Sequence, residues 1–188
     1  MRTYWNTNST LKTISDWQPN CWIQVTCPTE EDQEYLEDKF NIPDYFLSDI
    51  SDTDERARYE YDDGWMLIIL RIPYVKEIRS RTPYTTVPLG IIHKRDVTIT
   101  VCYYETNMMI DYVDMIFRLF LSSAVWYLKR LKQINTLIEK AKHNLDHGVN
   151  NESLIGLSRL QDSLTYFITS IRGNETLLAK LKFKLQVD

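Results

Sequence analysis

Residues 41–73 read NIPDYFLSDISDTDERARYEYDDGWMLIILRIP and join an acidic segment to a predicted β-hairpin. Asp63 and Gly64 both tolerate positive φ, as a type I′ turn requires, and a near-continuous apolar run follows them. This run, residues 65–70, is apolar at every position. Because a strand that is apolar on both faces is typical of the interior of a sheet, we predict a buried, central strand here.

The segment before the turn carries a high density of negative charge. Residues 44–63, called the acidic segment below, contain eight carboxylates and only two arginines. Such an imbalance requires either full hydration or a cation. Asp49, Asp52 and Asp54 offer the oxygen ligands that Mg²⁺ and Ca²⁺ prefer, but their spacing lacks the glycine and the terminal glutamate of an EF-hand loop. A solvated acidic turn and a metal site therefore both stay open on composition alone.

Composition and charge restrict the class of protein. The chain has 188 residues, of which 44% are hydrophobic and 26% are charged, with five glycines and six prolines. A chain of this kind is long enough for one folded α/β domain, with or without an appended helical part. Residues 1–128 carry 12 basic and 20 acidic side chains, whereas residues 129–188 carry 10 and 6. The acidic first part argues against a nucleic-acid surface, and the basic end suits a phosphate-rich boundary.

The motifs of common enzyme classes are absent from the sequence. It contains no G-x-S-x-G turn, no G-x-x-x-x-G-K loop and no G-x-G-x-x-G fingerprint, so we predict that the chain is not an enzyme. Three cysteines, an odd number, provide no disulfide framework, and no apolar signal core opens the chain. We therefore expect reduced thiols and a cytoplasmic setting. The most apolar helical window, residues 116–128, is shorter than the roughly 20 residues that a membrane-spanning helix needs.

Before residue 107 the pattern is that of strands with two short helices. We predict an α/β (α+β) fold in which a mixed sheet of about six strands occupies residues 1–106. Thr29 is placed to cap a helix, because the carboxylate of Asp32 can accept from the backbone amide of the cap. Pro43 suits the first position of a second short helix, which delivers Asp49 at its end.

From residue 107 the hydrophobic period changes from two to seven. Two successive segments each carry paired series at seven-residue intervals: Ile110, Phe117, Ala124, Leu131, Ile138 and Leu145 beside Val113, Phe120, Tyr127, Ile134 and Ala141, then Leu157, Leu164, Ile171, Leu178 and Leu185 beside Leu160, Phe167, Asn174 and Leu181. A short loop near Gly148 separates them, so we predict a long antiparallel helical hairpin over residues 107–188. Asn174 interrupts the second segment as a bend, a helix end or a buried amide that fixes register.

Histidines offer a second candidate for metal binding. His143 and His147 stand at i and i+4 on one helix face, a spacing that can hold a transition metal. The alternative is two solvated imidazoles near a helix C-terminus, where the helix dipole favours their positive charge. Asp146 stands between the two histidines, and the solvated pair is the favoured interpretation.

Residues 45–70, YFLSDISDTDERARYEYDDGWMLIIL, resemble the cytoplasmic domain of the CorA family of divalent-cation transporters. The shared features are a Leu-x-Asp-Ile stretch, a few acidic residues, Arg-x-Glu and a hydrophobic strand. Residues 86–101, TVPLGIIHKRDVTITV, resemble the family's next hairpin, and two long antiparallel helices also suit the family. The family's Gly-Met-Asn motif and its two transmembrane helices are absent, so we expect the sequence to be part of a longer transporter.

The resemblance implies the regulatory or sensor portion of a Mg²⁺ channel, without the pore, at the cytoplasmic face of the cell membrane. It implies identical subunits as partners, a pentamer for the full-length protein, with membrane contact only through segments outside this chain and no nucleic acid. Asp49 matches the family's aspartate in a regulatory Mg²⁺ site between subunits, and Asp52 is a second candidate ligand. Co²⁺, Ni²⁺ and Zn²⁺ stay open as the ion. The competing hypothesis is a soluble scaffold that binds a partner through the helical hairpin.

Overall fold

The computed structural model describes residues 1–6, 12–77, 80–105, 115–146 and 151–185. The elements are β1 (Arg2–Asn6), β2 (Lys12–Ile14), β3 (Trp22–Thr26), α1 (Glu30–Phe40), α2 (Asp44–Ser51), β4 (Arg58–Asp62), β5 (Trp65–Val75), β6 (Tyr84–Lys94), β7 (Val97–Cys102), α3 (Met115–Asp146) and α4 (Asn151–Leu185). The predicted α+β class and the helical hairpin are confirmed. The boundary that we placed between residues 106 and 107 stays a prediction.

The strands form one mixed sheet in the order β2-β1-β3-β7-β6-β5-β4. Within the described residues this sheet has seven strands instead of about six, because the polar start of the chain contributes both β1 and β2 at one edge. The pair β3 and β7 is parallel, and the other neighbouring pairs are antiparallel. The apolar run that begins at Trp65 is β5, which lies inside the sheet between β6 and the edge strand β4.

The two faces of the sheet bury different helices. Side chains alternate along a strand, so neighbouring residues of β5 point to opposite faces. On one face Leu67 and Ile69 join a core with Phe46 and Ile50 of α2 and with α1. On the other face a second core combines the sheet with both long helices, through Ile68, Leu70, Leu119, Phe120, Leu177 and Leu181. The sheet is therefore covered by α1 and α2 on one side and by the helical hairpin on the other.

Local signals in the sequence place the short helices as predicted. Thr29 and Asp32 form the expected capping box of α1, and Asn41 ends that helix in the left-handed conformation with φ 52°. Pro43 was predicted at the first position of α2 and instead occupies its N-cap. The helix therefore begins one residue later, at Asp44. These caps fix the short connection that delivers α2 onto the sheet.

The β4–β5 hairpin closes through the predicted Asp-Gly turn. Asp63 has φ 44° and Gly64 has φ 76°, the left-handed values that a type I′ turn demands at both positions. Lys94 Nζ donates to the carbonyl oxygen of Asp63 at 2.6 Å and so ties this turn to the β6–β7 turn beside it.

The helical hairpin pairs helices of 32 and 35 residues, about 48 and 52 Å long. The first predicted series of each helix is confirmed only in part: Ala124 and Ile171 are exposed. The companion series is buried at Phe120, Tyr127, Ile134, Leu160, Phe167, Asn174 and Leu181. Because the hairpin packs on the sheet as well as on itself, Ser163, Ser170 and Leu177 are buried too. Ile110, Val113 and His147 lie outside the described residues.

Within the described parts of the chain, no helix combines the length and the apolarity that crossing a bilayer would take.

Candidate functional site

The helix α2 holds Asp49 at the rim of the sheet. Phe46, Leu47 and Ile50 are fully buried against the sheet, and this anchors the helix by its apolar face. Contact is close, because a Cβ placed on Gly90 of β6 would lie 2.2 Å from Ile50 Cδ1. The neighbouring Asp49 side chain is 27% exposed and points towards Arg58 of β4. Rigid packing therefore fixes the position of this carboxylate.

A guanidinium occupies the centre of the carboxylate group around Asp49. Arg58 Nη2 lies 2.6 Å from Asp49 Oδ2, and Arg58 Nε lies 3.2 Å from Glu55 Oε1. Arg58 Nη1 also pairs with Glu60 Oε2. Three carboxylates thus share one arginine. The group keeps a formal surplus of negative charge.

Burial and the neighbouring charges both shift the pKa values of this group. Burial raises the pKa of Asp49 above its ordinary value, Arg58 lowers it, and the carboxylates of Glu55 and Glu60 raise it. Burial alone would lower the pKa of Arg58, but the bonds to Glu60 and Glu55 raise it above its ordinary value. The carboxylates therefore stabilise the arginine cation, while burial together with Glu55 and Glu60 outweighs the effect of Arg58 on Asp49.

The second candidate ligand, Asp52, lies apart from this group. It is the exposed C-cap of α2, and its Oδ1 accepts from the backbone N–H of Asp54 at 2.9 Å. Its side chain thus stabilises the turn that follows α2. The structure joins Asp49 to Arg58 and Glu55, and it places Asp52 in the adjacent turn.

The donor set around Asp49 fits a hard cation in chemistry and falls short in number. Carboxylate oxygens are the ligands that Mg²⁺ prefers, and Mg²⁺ commonly takes one or two of them and keeps several waters. Among the described residues, no group of three or more histidines, cysteines or carboxylates is placed to hold a metal ion. Residues of one chain would therefore hold Mg²⁺ through Asp49 and water, with further ligands from elsewhere. His147, the predicted partner of His143, lies outside the described residues, and the histidine pair stays a prediction.

A second polar group, which sequence reasoning missed, centres on Arg71 of β5. Its guanidinium is almost fully buried and donates to the carbonyl of Glu55 at 2.9 Å and to the carbonyl and hydroxyl of Thr86 at 2.7 and 3.0 Å. Within the described residues it has no carboxylate at ion-pair distance. The signal was a single charged residue directly after six apolar ones. A buried charge of this kind is costly unless every donor is bonded, which points to a structural role.

The backbone of Arg71 receives the two long helices. Asn174 of α4 accepts from the Arg71 N–H at 2.9 Å and donates to its carbonyl at 2.6 Å. Tyr127 and Ser123 of α3 donate to the same carbonyl at 3.2 and 3.4 Å. Of the alternatives left open for Asn174, the structure has the buried amide, and α4 continues through it to Leu185. The amide fixes the helix on the sheet.

Comparison with known proteins agrees with this architecture. The family model described as a CorA-like Mg²⁺ transporter protein matches residues 17–186. A search of the curated proteins found no match.

Solved structures share the fold at low sequence identity. The complete CorA magnesium transporter of Methanocaldococcus jannaschii matches with a TM-score of 0.82 and 20% identity over 97% of this chain and 62% of that one. The soluble domain of CorA from the same organism matches with a TM-score of 0.80 and 19% identity, over 97% of this chain and 79% of that one. The ZntB cytoplasmic domain of Vibrio parahaemolyticus matches with a TM-score of 0.72 and 14% identity, over 97% of this chain and 79% of that one.

The chain thus spans 62% of the length of the complete transporter that it resembles. The family match covers strands β3 to β7, the acidic segment and both long helices, and the solved structures share the same fold. On this evidence, the chain belongs to the CorA-like Mg²⁺ transporter family.

Proposed function

We propose that this chain is the cytoplasmic regulatory portion of a Mg²⁺ transporter whose pore lies outside these residues. Support comes from the family match, whose members are transporters and not enzymes, and from the likeness to the soluble domain of CorA. The observation that carries the proposal is the rigidly mounted, partly exposed Asp49 in a carboxylate group with surplus negative charge. The chain itself catalyses no reaction and binds no nucleic acid.

The proposed regulatory ion is Mg²⁺, held between identical subunits. Asp49 supplies one carboxylate at the rim of the sheet, and a neighbouring subunit supplies the opposing charge. Two facing carboxylates repel each other, and a divalent cation between them turns that repulsion into attraction. High Mg²⁺ then favours closely packed subunits, and loss of the ion favours their separation. In the full-length protein the assembly is a pentamer at the cytoplasmic face of the membrane.

Within one subunit, the surrounding residues tune this carboxylate. Arg58 holds Asp49 in place and partly neutralises its charge. A cation therefore binds Asp49 only if it displaces the guanidinium or binds beside it. Asp52 stabilises the turn behind the site and adds negative charge at its exposed side. Co²⁺, Ni²⁺ or Zn²⁺ could act at the same oxygens, although hard carboxylate ligands favour Mg²⁺.

The test is sedimentation velocity of the chain in MgCl₂ and in NaCl of equal ionic strength. Mg²⁺ is expected to promote association, and Asp49→Asn to weaken its apparent affinity roughly tenfold, equal to about 1.4 kcal/mol. Asp38→Asn is the matched control, since it removes one exposed carboxylate from α1. The proposal would be contradicted if association did not depend on Mg²⁺, or if both variants weakened the apparent Mg²⁺ affinity equally.

A scaffold that binds a partner helix is the second candidate. It is favoured by Leu121, Val125 and Leu128 on α3, which are 64%, 54% and 60% exposed at helical spacing. The same sedimentation experiment separates the two functions. A scaffold of this kind would associate through the apolar stripe whether or not Mg²⁺ is present, and Leu121→Ser would weaken that association.

A further inference from the structure

One residue of β5 binds two distant parts of the chain at once. The guanidinium of Arg71 donates to the backbone carbonyl of Glu55, which lies in the acidic segment. The backbone of the same residue exchanges two hydrogen bonds with Asn174 of α4. We call these contacts the Arg71 joint. Through them the acidic segment and the helical hairpin share a single anchor.

The backbone of Arg71 needs such partners because the sheet does not supply them all. The β4 ladder stops at the pair Arg58 and Ile69, two residues before Arg71. The N–H and the C=O of Arg71 both bond to Asn174, so both point away from β6 to the side on which β4 has ended. The side-chain amide of Asn174 replaces the missing strand residue, since it accepts and donates as a backbone peptide would. Seating α4 here therefore completes the hydrogen bonding of β5.

The acidic side of the joint reaches back to Asp49. Glu55 gives its carbonyl to Arg71 and its carboxylate to Arg58, and Arg58 in turn holds Asp49. A continuous run of hydrogen bonds and ion pairs thus leads from the candidate metal ligand on α2 to Asn174 on α4. The two ion pairs join half-buried side chains, the other bonds join a side chain to backbone, and hydrogen bonds shielded from solvent in this way are stronger than in water.

Charge reinforces the same connection. Burial lowers the pKa of Arg71, because a guanidinium with only neutral oxygen partners is poorly solvated. The ring of Tyr127 and then the carboxylates of Asp54, Asp52 and Glu55 act in the opposite direction. Part of the negative charge of the acidic segment is therefore used to support a buried cation beneath the hairpin.

We propose that Arg71 couples the acidic segment to the helical hairpin, so that releasing Arg58 from its carboxylates loosens the seat of α4 on β5. The coupling belongs to the chain without metal, and only its regulatory use rests on the proposed function. Coupling free energies act in both directions, so loosening α4 must also loosen the acidic segment.

Hydrogen exchange of the 188-residue chain, followed by mass spectrometry without added metal, tests the coupling. Arg58→Gln is expected to speed exchange in residues 170–178 of α4 by about fivefold or more, the lower end of typical coupling. Residues 152–160 of the same helix, about 20 Å or more from the joint, report global destabilisation and should change much less. The matched control is Arg56→Gln, which removes an exposed arginine from the same segment and should leave α4 unaffected.

The reciprocal variant is Asn174→Ala, which should speed exchange in residues 52–58 beyond any change in residues 152–160. Faster exchange confined to the acidic segment in Arg58→Gln, or an equal effect of Arg56→Gln, would overturn the coupling. If Mg²⁺ has no effect on association but both exchange results appear, the coupling stands and its proposed regulatory role falls. If Mg²⁺ acts through Asp49 but the exchange effects are absent, the proposed function stands and the coupling falls.

Discussion

Two polar residues buried in α4, Asn174 and Ser163, bond to the backbone of the sheet. Asn174 supplies the hydrogen bonds that β4, which ends at the pair Arg58 and Ile69, does not give to Arg71, and Ser163 Oγ accepts from the backbone N–H of Tyr84 at 3.3 Å. An amide without a partner at such a site would cost about 1–3 kcal/mol. The polar residues Asn174 and Ser163 of α4 therefore satisfy backbone groups of the strands that they cover.

A single imidazole provides a test of pH dependence at this scale. His93 is half-buried near the end of β6, its Nδ1 lies 3.0 Å from Thr98 Oγ1, and burial lowers its pKa below 6.5. The folded chain then binds fewer protons than the unfolded chain, so this contribution to stability is complete above about pH 6.5. It is lost as the pH falls below that value. Urea unfolding between pH 7.5 and 5 should show this decline, and His93→Gln should reduce it. An unchanged slope in the variant would contradict the assignment to His93.

At the scale of elements, the position of α2 depends on one glycine. The apolar face of α2 approaches β6 so closely that a methyl group on Gly90 would collide with Ile50, at 2.2 Å from Cδ1 and 2.5 Å from Cγ1. Both residues lie inside the sheet–helix core, where neighbouring atoms have little room to shift. The site residue Asp49 precedes Ile50, so the same contact positions the carboxylate.

Gly90→Ala should therefore displace α2 and lower the free energy of unfolding by about 1–3 kcal/mol, the usual cost of overpacking a core. Ile50→Ala removes the colliding atoms, so Gly90→Ala should cost clearly less in that background. The measurement is a double-mutant cycle by chemical denaturation. Additive losses would mean that the two residues do not compete for the same space.

For the whole molecule, the sheet and the hairpin share one core. Leu119, Phe120, Leu177 and Leu181 from the helices are buried together with residues of β5 and β6. Further along, Tyr84 of the sheet packs with Tyr127 and Phe167 of the hairpin. Neither layer can keep its apolar face dry without the other.

We therefore predict one cooperative unfolding transition, even though the sequence predicts a boundary between residues 106 and 107. Far-UV circular dichroism, which reports mainly the long helices, and tryptophan fluorescence, which reports mainly the sheet, should give the same midpoint. Leu177→Ala should lower both midpoints together, with a loss of about 2–5 kcal/mol. Helical signal that disappears before the fluorescence changes would indicate independent layers.

Several features follow from local sequence, and these could be predicted. The Thr29–Asp32 cap, the Asp63–Gly64 turn and the apolar strand after it depend on neighbouring residues only. The seven-residue period likewise predicts two paired helices, since it reflects the geometry of the helix itself. Asp49 could be named as a candidate ligand from its family motif, and its role as a ligand stays a prediction.

What the sequence by itself determined is thus the succession of strands and helices along the chain, the caps of the short helices and the apolar faces of the elements. Only the tertiary structure decided which polar groups meet: Arg58 between three carboxylates, Asp52 apart from Asp49, and Asn174 against Arg71, 103 residues away. The physical reason is that periodicity records which face of an element is buried and not what covers it. A hydrogen-bond partner far along the chain leaves no local pattern in the sequence. The contact between Arg71 and Asn174 therefore exists only once the hairpin packs on the sheet.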